Sequence, residues 1–187
     1  VIHNNNQFSL IKDEENHEMF WYKVNTGMNR LGFEIPDFIK IYEKYLTEKQ
    51  FILMSHLASS NDKDNPANES QFKSFNDLSN KLKNNILKSI ANTGCIMNFP
   101  ESSMDWVRCG IGIYGGYLKD DQLKTAMTLR SPIINIRSIK KGDKVGYDGR
   151  AVAKNDMKIA TVYLGYADGL PVTIKDGTSV MVNDQIA

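Results

Sequence analysis

Four side chains suited to ion binding or proton transfer stand just after short apolar runs of the sequence. They are Arg30, His56, Thr93 and Arg108. Arg108 leaves an apolar run directly, so its guanidinium needs an acceptor, because unpaired buried charge is costly. Taken singly, His56 is more typical of a structural histidine, and Thr93 is equally typical of a residue that caps a turn. If the apolar runs are neighbouring parallel strands, these four side chains converge on one edge of a sheet.

The first 120 residues alternate strand-like and helix-like segments. Predicted strands lie at residues 1–3, Phe20–Asn25, Phe51–Met54, Leu87–Ala91 and Trp106–Val107. Predicted helices lie at residues 7–11, Ile35–Leu46 and Glu69–Asn84. This alternation predicts a parallel sheet, either doubly wound or part of a (β/α)8 barrel, and both folds bind ligands at the carboxyl ends of strands. No G-x-G-x-x-G turn is present, which weakens the case for a dinucleotide site. In barrels, phosphate commonly binds at the loops after the last two strands, which correspond here to residues 92–94 and 110–112.

From about residue 121 the pattern changes to short strands separated by glycine or charged turns. Strand-like runs lie at Met127–Arg137, Lys144–Tyr147, Ile159–Leu164 and Ser179–Val182. Strands without intervening helices predict an all-β domain, so we divide the chain into residues 1–120 and 121–187. Tyr147 and Tyr166 stand between small residues in this part. A phenol has a reference pKa of ~10, so a tyrosine acts as a base near neutral pH only where a cation stabilises the phenolate.

Composition excludes several classes of function. The chain has 187 residues and a formal net charge of +1, and it lacks the basic stripe expected of a nucleic-acid-binding protein. No apolar run approaches the ~20 residues needed to span a bilayer. Cys95 and Cys109 have neither metal-ligand spacing nor nearby histidine pairs, so we expect reduced thiols and no metal site. The chain begins without methionine and ends in a β-like run, which predicts an internal piece of a longer protein.

Six short motifs in series resemble the alanine racemase family over essentially the whole chain. They are KVNTGMNRLGF (23–33), SH (55–56), ANT (91–93), VRCGIGIYG (107–115), VGY (145–147) and GYADGLP (165–171). The resemblance implies the second half of a (β/α)8 TIM barrel followed by the start of a C-terminal all-β domain. It also implies a cytoplasmic enzyme that uses pyridoxal 5′-phosphate (PLP), acts on alanine and forms head-to-tail homodimers with shared active sites.

The resemblance assigns the catalytic roles to Tyr147, His56 and Arg108. Tyr147, entering from the opposite subunit, exchanges the α-proton of L-alanine. Arg108 hydrogen-bonds the PLP pyridine nitrogen and keeps it unprotonated, which disfavours side reactions such as transamination. His56 links Arg108 to Tyr147.

The remaining matched positions have binding roles. Thr93, Gly110 and Ile111 match phosphate contacts, with threonine in place of the commoner serine. Arg30 faces the substrate carboxylate, a role that suits a guanidinium, and Tyr166 lines the substrate access path. Lys23 matches a lysine that is carbamylated in some members.

Two departures from the family pattern bear on activity. Asn25 stands where many members have aspartate, and an amide can keep a similar hydrogen-bonding outline. The lysine that forms the family's Schiff base with PLP lies on the first barrel strand and matches no lysine of this chain. We therefore expect the 187-residue chain alone to be inactive.

Three functions are hypotheses at this point. The first is interconversion of L- and D-alanine by two-base proton transfer, which supplies D-alanine for peptidoglycan. The second is a serine or broad-specificity amino-acid racemase, which a side-by-side assay on alanine, serine and lysine distinguishes. The third is a truncated, non-catalytic PLP-binding or dimerisation module, which a reading frame limited to these residues favours.

Overall fold

The computed structural model describes residues 1–15, 17, 20–82, 86–117 and 123–187. The chain forms two compact units, Val1–Met127 and Thr128–Ala187, and the named strands of each pair within that unit. The predicted division between residues 120 and 121 lies outside the described residues.

The first unit alternates helices and strands. In chain order its elements are α1 (Asn5–Ile11), β1 (Trp21–Lys23), α2 (Ile35–Ile41), β2 (Ile52–Met54), α3 (Pro66–Lys81), β3 (Leu87–Ser89) and α4 (Thr93–Asn98). The three strands form one parallel sheet in the order β1-β2-β3. Tyr22 of β1 pairs with Leu53 of β2, which pairs with Lys88 of β3, so the carboxyl ends of all three strands lie at the same edge. At the outer edge of β1, Ile2 forms a single parallel bridge to Tyr22.

An aromatic cluster between α2 and the sheet forms the centre of the core. The ring of Phe38 lies 6.0 Å from that of Tyr22 and 6.2 Å from those of Phe33 and Phe51, and all four side chains are buried. The predicted helix 35–46 is confirmed in extent, although it is α-helical only to Ile41 and continues as a π-helical turn, Tyr42–Leu46. The apolar stripe of this helix, formed by Phe38, Ile41, Tyr42 and Tyr45, packs in the core.

Helix α3 begins earlier than the predicted Glu69. Pro66 occupies the first turn, where its missing N–H is harmless, and the side chain of Asn65 accepts a hydrogen bond from the Ala67 N–H. The predicted end at Asn84 lies outside the described residues. Phe75, Leu78 and Leu82 are buried as their spacing predicts.

The predicted strand at Trp106–Val107 is wrong, and α4 was not predicted. Trp106 N–H donates to the carbonyl of Lys88, but the carbonyl of Trp106 accepts from the Ser89 hydroxyl, where a regular parallel ladder has a backbone N–H. The next donation, from Arg108 N–H, goes to Ala91, one residue beyond the regular register. The segment thus lies beside β3 without a strand ladder.

The second unit contains only strands and 3₁₀ turns among its named elements, as predicted for a β domain. Its strands are β4 (Ile133–Ile139), β5 (Lys144–Val145), β6 (Ala151–Val152), β7 (Met157–Val162), β8 (Met181–Val182) and β9 (Gln185–Ile186). They pair antiparallel as β4 with β7, β5 with β6 and β8 with β9. Strand β4 begins at Ile133 instead of the predicted Met127 because Pro132 has no N–H for a ladder.

Replacing Phe38 tests the central role of the aromatic cluster. Phe38→Ala removes a fully buried ring and leaves a cavity, so the free energy of unfolding should fall by about 3–5 kcal/mol. Leu10→Ala, at a side chain that is 83% exposed, is the control and should change it by less than about 0.5 kcal/mol. Urea unfolding measures both, and equal effects of the two substitutions would contradict this account of the core.

Candidate active site

The residues that follow the parallel strands lie together at the carboxyl edge of the first unit's sheet. Lys23 is the last residue of β1, His56 lies two residues after β2, and Thr93 lies four residues after β3. The hydrogen bond from Arg108 N–H to the Ala91 carbonyl brings Arg108 to the same edge. Register and strand direction thus gather residues that are far apart in the sequence.

The guanidinium of Arg108 is held by neutral acceptors. It donates to the hydroxyl of Ser89, to the carbonyl of Ser55 at 2.5 Å and to the carbonyl of Ile90 at 3.5 Å. Its Nη2 also lies 3.3 Å from Nδ1 of His56. The side chain is half-buried, and burial lowers the pKa of the guanidinium. No carboxylate is among the groups that shift this pKa, so the positive charge is not neutralised within the described part of the chain.

The imidazole of His56 lies between two donors. Arg108 faces its Nδ1, and the side-chain amide nitrogen of Asn92 lies 3.4 Å from its Nε2. The Asn92 oxygen already accepts from the Cys95 N–H and the Ser60 hydroxyl, which fixes the amide nitrogen toward His56. A protonated imidazole has no lone pair to accept from either donor, so this environment favours the neutral form.

Burial and nearby cations act on His56 in the same direction. Burial is the larger effect, and the charges of Arg108, Lys23 and Arg30 add to it, lowering the pKa of His56 to about 4. At neutral pH the imidazole is therefore uncharged. It can accept a hydrogen bond at one nitrogen and donate one at the other.

Lys23 and Arg30 complete a cluster of positive charge. Lys23 is only 7% exposed, and burial, Arg30 and Arg108 lower the pKa of its amine. Arg30 is exposed and lies in the turn that follows β1. None of the groups that shift the pKa of Lys23 or His56 is a carboxylate, so the cluster is suited to an anionic ligand.

The turn that carries Arg30 is closed by Asn25. The Asn25 side-chain oxygen accepts from the N–H groups of Gly27 and Asn29, and its Nδ2 donates to Asn29 Oδ1 and Glu34 Oε1, each at 2.9 Å. Gly32 is required at the end of the turn, because its φ is +127° and a Cβ would lie 2.7 Å from the Asn25 nitrogen. An aspartate in place of Asn25 would keep the acceptor oxygen but could not donate to Glu34. The amide of Asn25 therefore adds a hydrogen bond to the turn.

Thr93, Gly110 and Ile111 lie together beyond β3. The Thr93 hydroxyl accepts from the Gly110 N–H at 3.1 Å and from the Gly112 N–H at 3.2 Å, and its own hydrogen has only a weak acceptor nearby, Sγ of Cys109 at 3.8 Å. No described residue accepts from the N–H of Ile111, at the start of a 3₁₀ turn. The helix cap is Asn92, whose side chain accepts from the Cys95 N–H, so Thr93 is free of the capping role considered for it.

Tyr147 and Tyr166 lie in the second unit, each on a tight 3₁₀ turn. Gly146, Asp148 and Gly149 around Tyr147 all have positive φ, and the Tyr147 side chain is 90% exposed. Tyr166 is 71% exposed, and its turn is closed by a hydrogen bond from the Gly165 N–H to Asp168. Both phenols thus project into solvent from constrained backbone.

Sequence profiles of two known domains match most of the chain. The profile of the alanine racemase N-terminal domain matches residues 1–118, and that of the alanine racemase C-terminal domain matches residues 126–187. The chain belongs to the alanine racemase family.

Individual members of the family match along the whole chain. Alanine racemase from Alteromonas mediterranea is 37% identical over 196 residues, covering 100% of this chain and 54% of its own length. The crystal structure of biosynthetic alanine racemase from Pseudomonas aeruginosa matches with a TM-score of 0.81 at 31% identity, over 99% of this chain and 54% of that one. The alanine racemase of Bartonella henselae, solved with covalently bound pyridoxal phosphate, matches with a TM-score of 0.74 at 27% identity, over 97% of this chain and 52% of that one.

These relatives decide between the two folds that the sequence left open. The predicted fold class is confirmed as the second half of a (β/α)8 barrel followed by the start of an all-β domain, and the doubly wound sheet is excluded. The chain spans about half the length of the curated relatives it matches. Within the described residues, no helix is long and apolar enough to cross a membrane, and no three metal-binding side chains cluster.

The residues that orient the predicted site residues were not identified from the sequence. Arg108 contacts Ser55 and Ser89, and His56 contacts Asn92. Gln71, on α3, donates to the backbone carbonyl of His56. The motifs Ser-His and Ala-Asn-Thr contain Ser55 and Asn92, but no role was assigned to either. Ser89 and Gln71 carry no local signal, because only the fold brings them to the site.

The lowered pKa of His56 predicts a pH-dependent stability. Its pKa is about 4 in the folded chain against an ordinary value of 6.5, so between these pH values the unfolded state binds more protons. The free energy of unfolding should therefore fall as the pH drops through this window. His56→Gln should make that dependence shallower, while the contribution of His17, whose pKa burial also lowers, remains. Urea unfolding at a series of pH values measures this, and an unchanged dependence would contradict it.

Proposed function

We propose that the protein containing this chain is a PLP-dependent racemase that interconverts L- and D-alanine. One observation carries the proposal: a half-buried guanidinium lies 3.3 Å from a neutral imidazole, within a cluster of cations that forms no ion pair among the described residues. This arrangement, in a chain of the alanine racemase family, suits a ligand with negative charge and a ring nitrogen.

The donors of the cluster fit pyridoxal phosphate. A guanidinium has five N–H groups, and no described residue accepts from the Nε of Arg108, so a donor remains for a ring nitrogen. Beside it, a Cβ placed on Gly110 would meet no atom within 4 Å, which leaves room for a ligand to approach the backbone. When bound, pyridoxal phosphate withdraws electrons from the α-carbon of an amino acid and so makes its α-proton more acidic.

Arg108 keeps its proton while it donates to the ring nitrogen. Burial lowers the pKa of its guanidinium, but arginine stays charged in proteins. Its other hydrogen bonds, to Ser89, Ser55 and His56, hold the planar group in one orientation. Arg108 therefore binds the ring nitrogen without protonating it.

Thr93 and Ile111 supply donors for the phosphate group. The Thr93 hydroxyl can donate its hydrogen while it accepts from two backbone N–H groups, and the Ile111 N–H has no acceptor among the described residues. Gly110 contributes by its open surroundings, since its N–H is already directed at Thr93.

Within the cluster, Arg30 and Lys23 are the cations that we assign to the substrate. Arg30 pairs with the substrate carboxylate, for which its exposed position in the Asn25 turn suits it. The lowered pKa of Lys23 raises the fraction of neutral amine, which can attack CO₂, form an N–C bond and release one proton. The resulting carbamate is negative and compensates part of the positive charge around Arg30.

Tyr147 holds or removes the α-proton at its phenolic oxygen. We propose that it enters the site of the opposite subunit in a head-to-tail homodimer, where neutral His56 orients the phenol and Arg108 orients His56. Its exposure on a turn with three positive-φ neighbours supports this, because it presents the phenol rigidly to another surface. Tyr166, exposed on a second 3₁₀ turn, lines the substrate access path. From the resemblance to the alanine racemase family, we also propose that the enzyme is cytoplasmic and supplies D-alanine for the cell wall.

Substitution of Tyr147 tests the proposed function in the full-length protein. Tyr147→Phe removes only the hydroxyl, so conversion of L- to D-alanine should fall by about 10²–10⁴-fold, the typical contribution of a proton-transfer group. Tyr163→Phe, at another exposed tyrosine of the second unit, is the matched control and should keep wild-type turnover. A coupled D-amino-acid assay on alanine, serine and lysine measures rate and specificity together. Undiminished turnover by Tyr147→Phe would refute its role, and faster turnover of serine than of alanine by the wild type would replace the substrate.

A further inference from the structure

We propose that Gln71, on the outer helix α3, is a positioning residue that fixes the backbone of His56 and of the turn after β1. The inference rests on the proposed function, because it assigns Gln71 to the orientation of the groups that transfer the proton. Gln71 itself bonds to backbone groups and to the Thr26 hydroxyl, and to none of the groups that transfer the proton.

The side-chain amide of Gln71 bonds to the segment that contains His56 at two points. Its Oε1 accepts from the Ala58 N–H at 2.9 Å, and its Nε2 donates to the His56 carbonyl at 3.1 Å. The residue is 2% exposed, so these bonds form away from competing water. The backbone from residue 56 to 58 is thus tied to a long helix.

Arg108 holds the preceding residue of the same segment. It donates to the carbonyl of Ser55 at 2.5 Å, while Gln71 donates to the next carbonyl, that of His56. Two consecutive carbonyls are therefore bound by two different side chains. This double attachment determines where the Cα–Cβ bond of His56 points, and so where its imidazole meets Arg108.

The amide of Gln71 also reaches the turn after β1. Its Nε2 donates to the Thr26 hydroxyl at 3.2 Å. The Thr26 hydroxyl lies 2.7 Å from the Ser55 hydroxyl, and the Ser55 hydroxyl donates to the carbonyl of Val24. At Gly27 a Cβ would lie 3.3 Å from Cγ of Gln71, and φ is +131°. A glycine there lets the turn approach the helix, so one side chain connects the loops that carry Arg30 and His56.

Glutamine is the residue type that this position requires. Both hydrogens of its amide nitrogen are used, and its oxygen accepts a third hydrogen bond. Glutamate has no hydrogen to donate to the His56 carbonyl when ionised, and methionine has neither donors nor a strong acceptor. Methionine keeps the length and burial of the side chain, so Gln71→Met removes the three bonds with little change in volume.

The test compares Gln71→Met with Asn68→Leu in the full-length protein. Asn68 is also a buried amide of α3 and donates to the carbonyls of Ser59 and Asp62, so its loss costs a similar kind of stability without releasing His56. The titration midpoint of the His56 imidazole is followed by ¹⁵N NMR, with His56→Gln identifying the signal. Steady-state kcat and KM for alanine are measured alongside.

We expect Gln71→Met to raise the His56 midpoint from about 4 toward 6.5, because a released segment exposes the imidazole. We also expect kcat to fall by about 10- to 100-fold, the order of loss that slight misplacement of catalytic groups produces, with a smaller change in KM. Asn68→Leu should leave both the midpoint and kcat at wild-type values. If Gln71→Met does not fold, Thr26→Val removes one of the three links and should give a smaller shift in the same direction, whereas Thr26→Ser keeps the hydroxyl and should match the wild type.

A folded Gln71→Met protein with an unmoved His56 midpoint and wild-type kcat would overturn the inference. Equal shifts in Gln71→Met and Asn68→Leu would overturn it as well, since they would indicate a general loss of stability. A wild-type protein that does not racemise alanine would overturn the proposed function instead, and the NMR midpoint alone would then decide the role of Gln71.

Discussion

A half-buried guanidinium that has no carboxylate partner in the described part of the chain is the constraint on which the rest of the site depends. The positive charge of Arg108 is left uncompensated, because its acceptors are a hydroxyl, two carbonyls and an imidazole nitrogen. That charge disfavours protonation of His56 and lowers the pKa of Lys23. An acidic partner for Arg108 would weaken each of these effects, so the choice of neutral acceptors determines the charge of the whole cluster.

The parallel sheet supplies those acceptors. Ser55 follows β2, Ser89 ends β3, and the register that pairs Met54 with Ser89 brings the two serines to the same edge. The irregular segment before Arg108 belongs to the same arrangement. Because the Ser89 hydroxyl both donates to the Trp106 carbonyl and accepts from Arg108, the departure from a strand ladder is what directs the guanidinium inward.

The features of the fold that follow from local pattern were predictable, and those that follow from register were not. The apolar runs before Lys23 and Ser55 and the stripe containing Phe38 specify strands and a helix on their own. The predicted strand at Trp106–Val107 was wrong because two apolar residues carry no information on register. Helix α4 was missed because a glycine such as Gly94 is typical of a turn. In the structure the glycine is needed for close packing, since a Cβ there would lie 2.7 Å from the Ser60 hydroxyl.

The residues of the site also divide into those that could be predicted from the sequence and those that could not. The side chains expected to meet the ligand could be named from chemistry at strand ends and from family motifs, and the structure brings Lys23, Arg30, His56 and Arg108 of the first unit together. Gln71 could not be named, because a glutamine beside Phe72 on an amphipathic helix is indistinguishable in sequence from a surface residue. Its role depends on Thr26 and His56, which lie 45 and 15 residues away along the chain.

The cation cluster also links ligand binding to stability. Lys23, Arg30 and Arg108 repel one another, and burial adds to the cost of each charge that is not exposed. A ligand with negative charge would reduce this repulsion, so its binding and the stability of the cluster are linked. Arg108 and Gln71 bind consecutive carbonyls of the segment that carries His56, which keeps the neutral imidazole beside the cations. An anionic ligand would therefore meet positive charge and a neutral hydrogen-bonding ring whose backbone is already fixed.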